Sequence, residues 1–241
     1  MILAIETTGT DCSLALTNGG ILLAERSFNH QMRLVELLQT HILEVLKSAQ
    51  VALSDLDAIS VSAGPGSFTG LRVGVTTAKT LGYALDLPVV PIPTLQVIAE
   101  QSLPADKIAV MMRARPGSVY FQLFEGSNGV TTSLGSAEVV SVEDVIERLS
   151  SVGEPITLCG DALTKEGAHL LAELTASGIQ VTQAMDAPPH AHTVAAIAQR
   201  MLAISTEYSA LELEPIYLAQ PAIGPKKQRP TAGANSSALV Q

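Results

Sequence analysis

Gly64-Pro-Gly-Ser-Phe-Thr-Gly70 combines three glycines with two hydroxyls, and a loop of that kind ahead of a helix can turn backbone N–H groups toward an anion. The glycines fall at 64, 66 and 70, which gives GxGxxxG, one residue away from the dinucleotide fingerprint. The Lys-Ser/Thr ending of a P-loop is missing. The same residues also make a tight strand-to-helix turn, with Ser67 or Thr69 capping the helix. The second chemical position is Glu6, which closes an apolar run at the mouth of Thr7-Thr8-Gly9-Thr10. An acid there either orients a metal-bound water beside a phosphate or caps the turn.

Other nucleophiles and ligands are sparse. Cys12 and Cys159 lie far apart in apolar runs and read as buried thiols, since two such residues make neither a disulfide framework nor a zinc site. His30, His41 and His169 are isolated, and His190-Ala-His192 follows Pro188-Pro189 at a helix start. With no HExxH or H-x3-H pattern, no metal centre is expected from this chain. Ser67 lacks the GxSxG setting of a hydrolase elbow.

The elements that must position these residues fall into two similar series. In the first, strands are expected over 2–6, 12–17 and 21–27, with a hairpin signal at Asn18-Gly19. A helix follows whose face is set by Leu34, Leu38, His41, Val45 and Ala49, widened by Val35, Leu37, Ile42 and Leu46. A buried strand over 57–63 then runs into the glycine loop and a second helix to about residue 86. The second series has strands over 108–112, 119–125 and 130–134, with Asn128-Gly129 as the hairpin signal, and a helix opened by Ser141-Val-Glu-Asp144. It continues with strand 155–159, helix 164–177, strand 179–184 and helix 193–205.

This repetition predicts an internal duplication, with a mixed sheet flanked by helices in each half and a join near residue 103. The lobes expected are 1–103 and 104–220. Residues 221–241 contain three Pro and two Gly with Lys226, Lys227 and Arg229, a composition that reads as a tail. Within the second helix, Gly70, Gly74, Ala78 and Gly82 make a groove of small residues flanked by Leu71, Val75, Leu81 and Leu85. Two interior glycines cost roughly 1 kcal/mol each and call for close approach of another helix, from this chain or from another.

The 241 residues carry 23 acidic and 14 basic side chains, a formal charge of -9, with 47% apolar and 3% aromatic residues and no Trp. Removing the tail leaves 11 basic residues against 23 acidic ones, near -12. A surface that grips a phosphate backbone or stacks bases is therefore disfavoured. There is no spanning apolar run and no signal-peptide pattern at Met1, so a cytoplasmic protein without membrane contact is expected.

The combined motifs resemble the TsaB/YeaZ family, small subunits of the bacterial tRNA threonylcarbamoyladenosine machinery within the ASKHA superfamily of acetate and sugar kinases, Hsp70 and actin. The likeness runs through Ile2-Leu-Ala-Ile-Glu-Thr-Thr8 with Cys12-Ser-Leu-Ala-Leu16, and through Ser62-Ala-Gly-Pro-Gly-Ser-Phe-Thr-Gly-Leu-Arg-Val-Gly74 with Ala78-Lys79. It continues through Leu87-Pro-Val-Val-Pro91, Thr94-Leu95, Ala114-Arg115, Val119-Tyr120 and Pro215-Ile-Tyr-Leu218. The resemblance implies an α/β, two-lobed ASKHA (actin-like ATPase) fold with duplicated ribonuclease-H-like mixed sheets, the last helix packing back on the first lobe.

It further implies a noncatalytic dimerising subunit. A TsaD-like paralogue carries the metal and transfers threonylcarbamoyl to N6 of adenosine 37 in tRNAs reading ANN codons, and a TsaE-like ATPase joins. Alone, the chain is expected to form a homodimer, and to meet tRNA mainly through the complex. The interface residues so implied are Leu34, Leu38, His41, Leu71, Gly74, Val75, Ala78 and Gly82. A vestigial nucleotide site falls on Glu6, Thr7, Thr8, Gly64 and Gly66, with ATP or ADP conceivable at the interface of the complex.

The sequence departs from the family pattern at Glu6, where Asp is usual, at Arg113 in place of Asp, and at Ala219 in place of Arg. The Arg113 change removes an acid from the second lobe and weighs against ATP hydrolysis. A free-standing ASKHA-type kinase or ATPase stays open as the alternative. A protease reading has no nucleophile, base and metal set behind it.

Overall fold

The computed structural model describes residues 1–29, 33–205 and 207–218, and of 165–169 only the backbone. His30, Ala219 and the expected tail lie outside the described residues, and the side chain of His169 is likewise undescribed.

The first half runs β1 (Ile2–Glu6), β2 (Asp11–Asn18), β3 (Ile21–Asn29), α1 (Leu34–Ser48), β4 (Ala58–Gly64), α2 (Phe68–Leu85), β5 (Val89–Pro93) and α3 (Thr94–Gln101). The second half runs β6 (Lys107–Arg113), β7 (Ser118–Ser127), β8 (Val130–Ser133), β9 (Glu138–Ser141), α4 (Val142–Ser150), β10 (Ile156–Cys159), α5 (Leu163–Ala176), β11 (Val181–Met185) and α6 (Ala191–Ile204). The sheets have the orders β3-β2-β1-β4-β5 and β11-β10-β6-β7-β8, with β9 paired to β7. Reversing the second order gives the first, so the duplication expected from the sequence is present in the topology. In each sheet the hairpin strands pair antiparallel and the later strands parallel.

Local chemistry explains several boundaries. Asn128 and Gly129 both take positive φ between Ser127 and Val130, as a two-residue primed turn requires. In the first hairpin the left-handed pair is Gly19-Gly20, one residue later than the Asn-Gly signal suggests. Ser141 caps α4 by accepting from the Asp144 N–H at 3.1 Å, while the Asp144 side chain returns to the Ser141 N–H. Ser67, not Thr69, caps α2, accepting from Gly70 N–H at 3.2 Å.

The core is layered. Leu3, Ile5, Leu14, Leu16, Ile59 and Val61 of the first sheet pack on Leu38, Ile42 and Val45 of α1 and Val75 and Ala78 of α2. The opposite face, bearing Ala4, Ala15, Val90 and Ile92, receives α6. In the second sheet, Ala109, Met111, Phe121 and Leu158 meet α4 and α5, whereas Ile108, Val110, Phe124 and Cys159 receive α3. Helix α6 thus lies on the first sheet, whereas α3 sits between the sheets, with Val97 toward the first and Leu95 and Ile98 toward the second. A chain cut at 103 separates the sheets. Helix α6 packs back on the first lobe.

Both cysteines are free and buried, and burial pushes each thiol up to about 12. Neither is a thiolate near neutral pH, which agrees with inert core thiols. No described helix is long and apolar enough to cross a membrane.

Candidate functional site

Two features of the first lobe concern function: the corner where β1 ends, and the outer face of the α1–α2 pair. They share helix α2.

At the corner, Glu6 is fully buried. Its Oε1 accepts hydrogen bonds from the Thr8 N–H and the Thr8 hydroxyl, both at 2.5 Å. Burial pushes the carboxyl up to about 7, against the opposing pull of Ser62 and Thr8. The group therefore caps the Thr7-Thr8 turn from inside. The folded-state value lies above the ordinary 4.5, so the folded chain holds a proton that the unfolded chain gives up. Glu6 thus favours the fold most below about pH 4.5, and that contribution is lost as pH rises through 7, by about 3 kcal/mol in all. Glu6→Gln keeps the acceptor and is expected to flatten denaturation midpoints across this range, which urea melts at pH 5, 6, 7 and 8 would show.

The glycine loop closes over this turn. A Cβ on Gly66 would stand 2.6 Å from Thr8 Cβ, one on Gly70 1.9 Å from Thr7 O, and one on Gly74 2.1 Å from Thr7 Oγ1. The Ser67 N–H donates to Thr8 O at 2.7 Å, and the Thr7 hydroxyl to Gly70 O at 2.8 Å. Gly64 has φ +120, and a Cβ there would meet Ile216 O at 2.5 Å, where the returning chain donates from Ile216 N to Ala63 O. These glycines make room for this chain's own backbone. Of the two roles that the spacing left open, the turn is the one built.

In the second lobe the strand-end position equivalent to Glu6 is Arg113. Its N–H donates to Asp161 Oδ1 at 2.8 Å and its Nε to Oδ2 at 2.9 Å. Asp161 follows β10, so this carboxylate beside the strand end is already paired. The pair is half exposed, so its contribution is about 1 kcal/mol or less. Arg113→Ala is expected to shift the melting temperature by only a few degrees while releasing Asp161.

Between the two corners lies a cleft of about 760 Å³ bordered by Thr8, Thr10, Asp11, Gly66 and Ser67 on one side and Arg113, Asp161, Thr164 and Asp186 on the other. Its size suits a nucleotide, but its groups do not fit a magnesium-bound one. Glu6 does not reach the cleft wall, and Asp161 is held by Arg113. The space beside Gly66 is filled by Thr8. Among the described residues, no cluster of three His, Cys, Asp or Glu side chains is arranged to hold a metal.

The residues expected to meet a partner require correction. Leu34, Leu38, His41, Leu71, Gly74, Val75, Ala78 and Gly82 are all buried inside this chain. Gly70 and Gly74 seat the Thr7 turn, and Gly82 seats Val89 and Ala210. His41 is buried with its ring 4.3 Å from that of Phe28 and its Nδ1 2.7 Å from Glu44 Oε2. The periodic small and apolar stripe of α2 points inward because β1, β4 and β5 lie beneath it.

The outward face is different. Val35 and Leu43 of α1 are 63% and 60% exposed. With Gln39, and with Arg72, Val73, Thr76, Thr77 and Thr80 of α2 over Leu53, they line a mainly apolar groove of about 550 Å³. Two large apolar side chains one helical turn apart from Gln39, outside the core stripe, were the signal for this groove. The 3.6-residue period alone does not separate Val35 from the neighbouring core face, which hides the groove in the sequence. At its rim Arg72 lies 5.1 Å over the Phe68 ring, which meets Tyr217 at 5.3 Å.

Residues 4–223 match the family described as "TsaD: tRNA N6-adenosine threonylcarbamoyltransferase". The chain is 32% identical over 164 residues to a tRNA threonylcarbamoyladenosine biosynthesis protein TsaB of Bacillus subtilis, covering 66% of this chain and 70% of that one. It is 30% identical to TsaB of Haemophilus influenzae, over 90% of this chain and 92% of the relative. Among solved structures, YeaZ from Pseudomonas aeruginosa superposes with a TM-score of 0.76 at 26% identity, covering 90% of this chain and 99% of that one.

Proposed function

This chain belongs to the TsaD-type family and, within it, to the TsaB/YeaZ group of tRNA threonylcarbamoyladenosine biosynthesis proteins; from that premise we propose that it is a noncatalytic subunit that docks through its α1–α2 groove onto a TsaD-like paralogue. The carrying observation is the groove, an apolar surface rimmed by polar side chains on the outer face of two helices, which is how interaction sites are built. In the absence of the paralogue, a second copy of this chain covers the same face.

The paralogue supplies metal, active site and most of the tRNA contact, and a TsaE-like ATPase completes the assembly. The product is threonylcarbamoyladenosine at position 37 of tRNAs reading ANN codons. Three features support the noncatalytic part: a Glu6 turned into the core, an Arg113 that occupies Asp161, and a strongly acidic composition unsuited to holding RNA alone. A nucleotide shared at the interface of the complex would draw its metal ligands from the other chain.

Reconstituting tRNA modification with and without this chain, at matched paralogue concentration, tests the reading. Activity is expected to depend on it at roughly one chain per paralogue, and undiminished activity in its absence overturns the proposal. Turnover of Mg-ATP by the isolated chain, abolished by Glu6→Ala, would favour a free-standing ATPase instead.

A further inference from the structure

The rim of the groove is built to hold one cation in place. Phe68 and Arg72 stand four residues apart on α2, and the guanidinium lies 5.1 Å over the ring, which Tyr217 meets at 5.3 Å. Residues 207–218 bring Tyr217 there by running along α2 from its last turns to its first. Ala210 sits against Gly82, Lys79 Nζ donates to Leu211 O at 2.9 Å and to Leu213 O at 3.3 Å, and Ile216 N donates to Ala63 O at 2.7 Å. The support under Arg72 is therefore fixed before any partner arrives, which lowers the entropy cost of binding. The chain has only four Phe and four Tyr and no Trp, yet Phe68 and Tyr217 stand here 38% and 43% exposed, so the stack is not core packing. Arginine with tyrosine is the composition of a binding hot spot.

Charge then distinguishes between partners. The lining of the groove holds a single charged side chain, Arg72, and no carboxylate. Among the described residues no acid pairs with Arg72, whereas Arg26, Arg33, Arg113, Arg148 and Arg200 each have one. Glu36 and Glu44 of α1 lie outside the lining and are already engaged, by Arg33 and by Arg26 and His41. Glu212 and Glu214, on the segment that carries Tyr217, lie outside it as well. A two-fold contact between copies sets the same patch on both sides. Each copy then buries a guanidinium against a lining without an acid, and that desolvation costs affinity. A carboxylate from a different partner instead meets the in-plane N–H donors of the planar fork.

We propose that Arg72 decides which partner the groove takes: it selects an apolar face that carries one carboxylate opposite the guanidinium, and it disfavours a second copy of this chain. The occupant is the TsaD-like paralogue, so the inference rests on the docking role proposed above and adds the chemistry by which that partner is chosen.

The test measures two affinities of the full chain, for the purified paralogue by calorimetry and for itself by sedimentation equilibrium. Arg72→Ala should weaken the first by about tenfold or more and leave the second within about twofold of wild type, or tighten it. Arg72→Met keeps the apolar stem and should lose as much, while Arg72→Lys keeps the charge without the fork and should recover only part. Because Arg72 is exposed, melting temperatures should stay within a few degrees of wild type. Changing the paralogue's surface acids one at a time to Arg should reveal one that restores binding to Arg72→Glu and weakens binding to the wild type. Equal losses toward both partners, a loss confined to self-association, full binding by Arg72→Met, or no rescuing acid overturns the proposal. If Leu43→Glu leaves both affinities unchanged, the docking role itself fails. If Leu43→Glu weakens both while Arg72→Ala weakens neither, the groove docks and Arg72 does not select.

Discussion

Leu43→Glu is expected to weaken association through the α1–α2 groove by at least about 2 kcal/mol, roughly thirtyfold, while leaving the melting temperature within a few degrees of wild type. Leu43 is 60% exposed, so in the isolated chain the substitution places a carboxylate in water and removes no core contact. In the complex the same carboxylate must be desolvated against Val35, Val73 and Leu53, with Arg72 at the rim as the nearest lining cation. Val73→Glu, from the other wall, also disturbs a side chain packed against the core, so it should weaken association together with a loss of stability. Co-purification with the paralogue, or sedimentation of the chain alone, reads the effect. Wild-type association in both variants would show that the groove is not the docking face.

Gly70→Ala is expected to destabilise the first lobe by about 3 kcal/mol or more, a large share of a total near 5–15 kcal/mol. The added Cβ would stand 1.9 Å from Thr7 O, a backbone atom fixed by β1 on one side and by the Ser67 bond to Thr8 on the other. No rotamer relieves such a contact, and moving the turn breaks the hydrogen bonds at Glu6. Alanine's better helix preference, about 1 kcal/mol, acts in the opposite direction, so a net loss isolates the clash. Thermal melting tests it; a midpoint at or above wild type would mean that Thr7 is not packed on α2 as described.

These two results bear on variants that sequence spacing alone nominates. Val75→Glu and Gly74→Leu look like interface tests if the small-residue groove of α2 faces another chain. In the structure Val75 is 3% exposed among Leu3, Ile5 and Ile59, and Gly74 rests on Thr7. Both substitutions should cost folding first. Lost co-purification in either one would report an unfolded lobe, and Leu43→Glu is the cleaner test.

Much of the fold was legible because its signals are local. The Asn128-Gly129 turn follows from the φ values those residues accept, and the α4 start from the Ser141 and Asp144 cap. The repeated hairpin, helix, strand and glycine order gave the duplicated sheets without any long-range contact being known. Strands β5 and β9 and helix α3 were missed. Each is short, and Val89–Pro93 is punctuated by prolines that hide its register.

By itself the sequence determined that α1 and α2 each bury one stripe, that a glycine-rich turn precedes α2, and that Glu6 stands at a strand end. What those stripes are buried against was decided only by tertiary structure. A 3.6-residue period records that a face is apolar, and it is the same whether a sheet or a second chain lies opposite. Only the placement of β1, β4 and β5 under α2 turns the small-residue groove inward, and the exposed apolar face is left to Val35 and Leu43 of α1. The same holds for Glu6: its residue type permits a metal-orienting acid, and its burial beside Thr8 and Ser62 makes it the inner cap of the Thr7-Thr8 turn. The placement of α6 on the first sheet and of α3 between the two depends on contacts far apart in the chain, such as Gln101 with Pro188, and no local pattern encodes them.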